Sequence, residues 1–165
     1  VVEPHNLASQ SYGIKDLGKA KAIALADQML GINPSCNIVN YLDSYNGSLP
    51  EGGYKKVDIM VSAVDSMQER ERICEGILKS KEQPGIIIDG RLGGPQLEIY
   101  TMSPKEWPDT FVVNPSQDPC GARYISYISM AIGALIANQV KRVLKEEKYH
   151  KSIIFELNDL QMLKS

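Results

Sequence analysis

Residues Val57 to Val64 are almost continuously apolar, and they run directly into Ser66 and Glu69, an S-x-x-E pattern. A strand that is apolar on both alternating faces suits a parallel sheet covered on both sides. S-x-x-E is the capping box that opens a helix, here predicted to run to about Lys79. Pro84-Gly85 then closes the unit, and Ile86-Ile87-Ile88 reads as another short buried strand. Strand, capped helix and buried strand in succession direct the chain toward an α/β fold.

The remaining segments fit that class. Ala22, Leu25, Ala26, Met29 and Leu30 recur at helical spacing and predict a helix over about 17–30, with Asp16 as N-cap and Gly31 and Asn33-Pro34 as its end. Residues 37–42 read as a strand, and 44–53 as a loop rich in Gly, Ser, Asn and Pro. Gln96 to Met102 alternates like a strand with one wet face. Residues 103–119 hold four prolines and Trp107, the chain's one tryptophan, and are expected to form a long ordered loop. From about Arg123 to Lys148 a long helix carries Ile125, Ile128, Ile132 and Ile136 on one stripe. Tyr124, Tyr127, Met130, Ala131 and Leu135 form a second apolar stripe, so this helix is expected at the centre or at an interface. Residues 152–157 close the chain as a strand.

Composition excludes several function classes. The 165 residues suffice for one domain, and a net charge of −2 provides no basic field for nucleic acid or an anionic membrane. No apolar run is long enough to span a bilayer. Cys36, Cys74 and Cys120 stand far apart with no C-x-x-C spacing, which fits a reducing cytoplasm and gives no zinc framework. The chain opens Val1-Val2-Glu3-Pro4 without methionine, as a processed, trimmed or fragmentary chain would.

In α/β sheets ligands sit beyond the carboxyl ends of the strands, which singles out Asp65, just past the buried strand. A carboxylate there can hold Mg²⁺ or orient a nucleotide phosphate, or it can serve as a helix cap. Lys19 and Lys21 fall in the expected first helical turn, where a cation opposes the macrodipole unless an anion docks between them. Arg70 lies on the inward side of its helix and needs an acidic or phosphate partner, for which Asp65 is the nearest candidate. Cys120 opens P-C-G-A-R before the long helix, where the helix start and Arg123 could depress its pKa, or it simply packs there as a small residue. Cys36 and Cys74 are expected in the core, and His5 and His150 at the surface. The run Asp89-Gly90-Arg91-Leu92-Gly93-Gly94 is either a plain glycine turn or a place where a peptide backbone approaches closely.

Taken together, V-V-E-P-H-N-L-A-S-Q, G-K-A-K, I-N-P and D-I-M-V-S-A-V-D-S-M-Q-E-R resemble the ThiF/MoeB/HesA group, bacterial relatives of ubiquitin-activating enzymes. The segments follow in the family's order across residues 1–100, and I-A-N-Q-V-K-R-V-L resembles the family's last helix. The resemblance implies a Rossmann-like domain over residues 1–165 that adenylylates the C-terminal carboxylate of a ubiquitin-like or sulfur-carrier protein with ATP and Mg²⁺. The chain as a whole is expected to be cytoplasmic and a homodimer joined through its apolar long helix, and its charge and hydropathy predict that it binds neither nucleic acid nor membrane.

Carried over by position, Asn6 and Gln10 would line the phosphates, Lys21 would contact them, Asp65 would hold Mg²⁺, and Arg70 would match the arginine that follows. Cys120 would be the candidate thiol, and Arg91, Gly93 and Gly94 would receive the carrier tail. Ser9 stands where the family has an arginine, and Ser66 where it has an asparagine. The glycine-rich loop and first β-α-β unit that precede V-E in the family are not within these residues, so the domain is expected to be partial. The competing expectation is a non-catalytic ThiF-like binding or dimerisation module.

Overall fold

The computed structural model describes residues 1–47, 57–93, 95–111 and 126–165. They fall into two compact units, one holding Val1–Ser44 and the beginning of the long helix as far as Ser129, the other the remainder from Tyr45 onward.

The second unit is built on a five-stranded sheet in the order β1-β2-β3-β4-β5. β1 (Ile59–Ser62) pairs parallel with β2 (Ile86–Gly93), and α2 (Met67–Lys79) is the crossover between them. β3 (Gln96–Met102), β4 (Ser152–Glu156) and β5 (Gln161–Lys164) continue the sheet antiparallel. The class is α/β as expected, with one parallel pair. One face of the sheet meets Ile73, Cys74 and Ile77 of α2, which pack with Ile87, Met102 and Trp107 into a buried core. The opposite face, with Ile88, Leu97, Ile99 and Ile153, is also buried. There Gly90 is needed, because a Cβ on it would come within 2.7 Å of Ile136 Cδ1 on α3 (Ser126–Leu144).

Several boundaries differ from the sequence reading. β2 does not stop at Ile88 but continues through Asp89-Gly90-Arg91-Leu92-Gly93, in register with β3 up to Gly93 opposite Gln96. The stretch read as a possible glycine turn is therefore mostly strand. β5 leaves little sequence signal because Gln-Met-Leu-Lys is short and exposed. Residues 37–42 form no strand; they join no ladder, and Val39, Tyr41 and Leu42 stand exposed. Residues 112–125, which include Cys120, Arg123, Tyr124 and Ile125, lie outside the described residues, as do 48–56 and Gly94.

In the first unit α1 spans Lys21–Ile32 and is preceded by Ala20, not Asp16. Asp16 instead closes a 3-10 turn by accepting the Gly13 N–H at 2.9 Å. Gly18 then takes φ +81°, a left-handed conformation that breaks any earlier helix. Gly31 lies inside the last turn of α1, and Asn33 ends it. Of the expected apolar stripe only Ala26 is buried, while Leu25, Met29 and Leu30 are exposed. Among the described residues no helix is long and apolar enough to cross a membrane.

Candidate active site

The carboxyl end of β1 leads through Ala63 and Val64 to Asp65 and then to Ser66, the N-cap of α2. Ser66 Oγ accepts the Glu69 N–H at 3.3 Å, which is half of the expected capping box. The other half is absent, because the Glu69 carboxylate turns to Arg72, at 2.6 Å from Nη2. That hydrogen bond holds the Glu69 carboxyl below its ordinary range. Capping thus occupies Ser66 and leaves the Asp65 side chain exposed, without an ion pair among the described residues. It is an oxygen ligand of the kind that a hard divalent cation takes.

Arg70, in the first turns of the same helix, is buried and does not meet Asp65. Its Nε donates to Asp89 Oδ1 at 3.0 Å and its Nη2 to the Gly90 carbonyl at 3.0 Å. Asp89 is fully buried and is the centre of the cluster. Its Oδ2 also accepts Arg91 Nε at 2.9 Å, Arg91 Nη2 at 2.7 Å and Trp107 Nε1 at 3.0 Å. Arg91 further donates to the Thr110 carbonyl at 2.7 Å and to Thr110 Oγ1 at 2.6 Å, and its guanidinium lies 4.5 Å from the Tyr100 ring centroid. The Tyr100 hydroxyl donates to Glu98, and burial together with that carboxylate pushes its pKa up to about 12.

Sequence reasoning leaves the Arg91 guanidinium free for substrate; the structure commits it to Asp89 and Thr110. The same reasoning assigns Asp89 no role. The available signal is the inward Arg70, which demands an anion, and the i, i+2 spacing that puts Asp89 and Arg91 on one face of a strand.

Asn6, Gln10 and Lys21 all belong to the first unit. Asn6 is buried, and its Oδ1 accepts the Glu3 N–H at 2.9 Å. Gln10 is exposed, and its backbone N–H donates to the Asn6 carbonyl at 2.8 Å. Lys21 opens α1, half-buried, with its ammonium in no ion pair among the described residues. Lys19 lies before that helix and pairs with Asp27 at 3.2 Å and Asp16 at 3.5 Å. Ser9 is half-buried.

Gly93 ends β2, and a Cβ there would meet nothing within 4 Å. Cys74 is buried in the core, and burial pushes its thiol up to about 11, whereas Cys36 is half-buried. His5 is exposed beside Glu3, while His150 is half-buried. Among the described residues no group of three or more His, Cys, Asp or Glu side chains could hold a metal ion. A cavity of about 240 Å³ lies beside β1, lined by Tyr45, Val57, Ile59, Met60, Val61 and Pro84 among others.

Residues 1–162 match the ThiF family. Among solved structures the chain is similar to PaaA in its selenomethionine form, at 15% identity and a TM-score of 0.66 over 99% of this chain and 61% of that one. It is similar to MccB from E. coli, solved with MccA-N7isoASN, at 15% identity and a TM-score of 0.67, covering 99% of this chain and 53% of that one. A second MccB structure from E. coli gives 13% identity, a TM-score of 0.61 and coverage of 93% and 49%. The likeness at such identities is one of fold, and the chain spans only 49% to 61% of the lengths of these structures. No curated protein matches the sequence.

Proposed function

The chain belongs to the ThiF family, and we propose that it forms part of an ATP-dependent adenylyltransferase acting on the C-terminal carboxylate of a ubiquitin-like or sulfur-carrier protein. In this reaction a carboxylate oxygen of the carrier attacks the α-phosphorus of ATP, the bond to the bridging oxygen breaks, and pyrophosphate leaves. Enzymes accelerate such a step by positioning the reactants and by neutralising charge.

The observation that carries the reading is Asp65. Its carboxylate stands exposed at the carboxyl end of β1, one residue before the capped start of α2, with no internal partner among the described residues. It is the residue that would hold Mg²⁺, whose charge would screen the phosphates of the nucleotide. By the same resemblance Lys21, whose ammonium is in no ion pair among the described residues, would contact a phosphate oxygen. Asn6, whose Oδ1 accepts the Glu3 N–H, and Gln10, which is exposed, would line the phosphates as the resemblance implies. The carrier tail would approach at Gly93, where the backbone is open.

One observation favours the non-catalytic alternative: Arg70 is spent on Asp89 and Gly90, and so is not free for a phosphate. ATP–pyrophosphate exchange by the full-length protein decides between the two. Exchange that depends on Mg²⁺ and falls by a factor of about 100 on Asp65→Asn, with the fold intact, supports the enzyme. Exchange unaltered by that substitution assigns Asp65 to the helix start alone, and no exchange with any carrier favours the module.

We extend the proposal to a homodimer in the cytoplasm, assembled through the exposed side of α3, where Met130 and Leu144 are 62% and 64% exposed.

A further inference from the structure

Asp89 has no part in the reading above, yet its carboxylate accepts four hydrogen bonds from three side chains. A carboxylate 0% exposed is costly to bury and persists only with its hydrogen bonds filled. It takes them from Arg70 on α2, Arg91 on its own strand and Trp107 on the 3-10 helix Trp107–Thr110. The position of the cluster matters as much as its composition. Further along this face of the sheet the contacts between α2 and the strands are apolar, made by Ile73, Ile77, Ile87 and Met102. Charge is introduced at the carboxyl end of β1, where Asp89 is the register partner of Ser62. The Ser62 hydroxyl is itself buried, without a hydrogen-bond partner among the described residues.

The connection from this cluster to Asp65 is short. The Arg70 side chain is fixed by Asp89 Oδ1 and Gly90 O, each at 3.0 Å. The Arg70 backbone N–H donates to the Ser66 carbonyl at 3.2 Å, and Ser66 follows Asp65 directly. Apolar burial is non-directional, whereas a two-point guanidinium contact adds a directional constraint with a fixed geometry.

We propose that Asp89 is a positioning residue: through Arg70 it fixes the first turn of α2 and thereby sets where the Asp65 carboxylate stands. The inference rests on the adenylyltransferase reading for its functional consequence, but the mechanical part can be tested without it. The variants are Asp89→Asn, which keeps an oxygen acceptor and removes the charge, and Arg70→Lys, which keeps the charge and removes the two-point contact. Lys79→Gln, at the other end of α2 and paired with Glu75 on the surface, is the control.

In the full-length protein, hydrogen exchange of the Glu69 and Arg70 amides should quicken on the order of tenfold in both variants, with the Ile73 and Ile77 amides unchanged. The Mg²⁺ concentration for half-maximal ATP–pyrophosphate exchange should also rise on the order of tenfold, as when the support behind a metal ligand is removed. Activity should recover at saturating Mg²⁺, and the control should leave both measurements unaltered. A merely stabilising role would lower the amount of folded protein without moving the Mg²⁺ midpoint. Should Asp89→Asn fail to fold, Arg70→Lys decides. Unchanged amide exchange or an unchanged Mg²⁺ midpoint in Arg70→Lys overturns the proposal. An unsubstituted protein with no exchange activity overturns the adenylyltransferase reading instead, and the amide measurement then decides by itself whether the tether exists.

Discussion

The indole N–H of Trp107 donates to the carboxylate of Asp89 at 3.0 Å, and both residues are 0% exposed. This bond ties the 3-10 helix after β3 to the sheet. Trp107→Phe keeps an aromatic ring against Phe111, whose ring centroid lies 5.5 Å away, and removes the donor together with part of the indole's bulk. Asp89 would retain both arginines, so the expected cost is about 1–3 kcal/mol, in the range for an unmet hydrogen bond to a buried charged group. Urea unfolding of the variant measures it, and a midpoint equal to that of the unsubstituted chain would show the bond to be dispensable.

Gly76 presents a second close approach. A methyl group at this position of α2 would overlap the carbonyl oxygen of Asn46, and one on Gly47 would overlap the Ile77 backbone. Gly→Ala inside a helix normally gains about 1 kcal/mol. Here the sign should reverse, because backbone must move away from backbone, and Gly76→Ala should lower thermal stability by several degrees. The same variant should be cut more readily by protease near Tyr45, whose carbonyl accepts a bond from Arg72 at 2.7 Å.

Glu106 accepts from the Ser103 N–H and hydroxyl and pairs with Lys151. The Lys151 bond, followed by those from Ser103, holds its carboxyl at about 2, against an ordinary 4.5. A group whose pKa is lower in the folded state favours folding above its unfolded value, and that contribution disappears as pH falls through the folded one. Glu106 should therefore add stability above about pH 4.5 and lose it between there and pH 2. Glu106→Gln should flatten the stability curve in that window without affecting it at pH 7 to 8 relative to pH 6. An identical acid slope in the variant would discard this role.

What the sequence disclosed divides along physical lines. The β1 to α2 unit was legible because an apolar run and a side-chain cap each leave a local pattern, although β1 is an edge strand with Val61 exposed rather than a strand buried on both faces, and β3 was legible to the residue, Gln96 to Met102. Arg70 announced that it needed an anion, but not which one, since its partner lies nineteen positions away on the strand β2. Asp89 was hidden inside a glycine-rich run that resembles a turn, and only the pairing with β3 shows it to be strand. The apolar content of residues 37–42, Asn-Ile-Val-Asn-Tyr-Leu, misled in the opposite direction, because strand-favouring residues alone supply no neighbouring strand.

The exposed side of α3 leads to the last prediction. Met130, Ala134, Ala137 and Leu144 lie along one exposed side of α3, with Lys141 among them, while Ile132 is buried and Leu135, read as part of the second stripe, is half-buried. An apolar stripe left in water favours self-association, and a two-fold axis lets the same stripe cover itself. The full-length protein should run as a dimer in light scattering, and Met130→Glu should yield a folded monomer, because the axis would bring two carboxylates together in an apolar contact. The charge disturbs nothing inside the protomer, since Met130 is 62% exposed. A monomer for the unsubstituted protein at micromolar concentration would remove the dimer, and a dimer that survives Met130→Glu would move the interface away from α3.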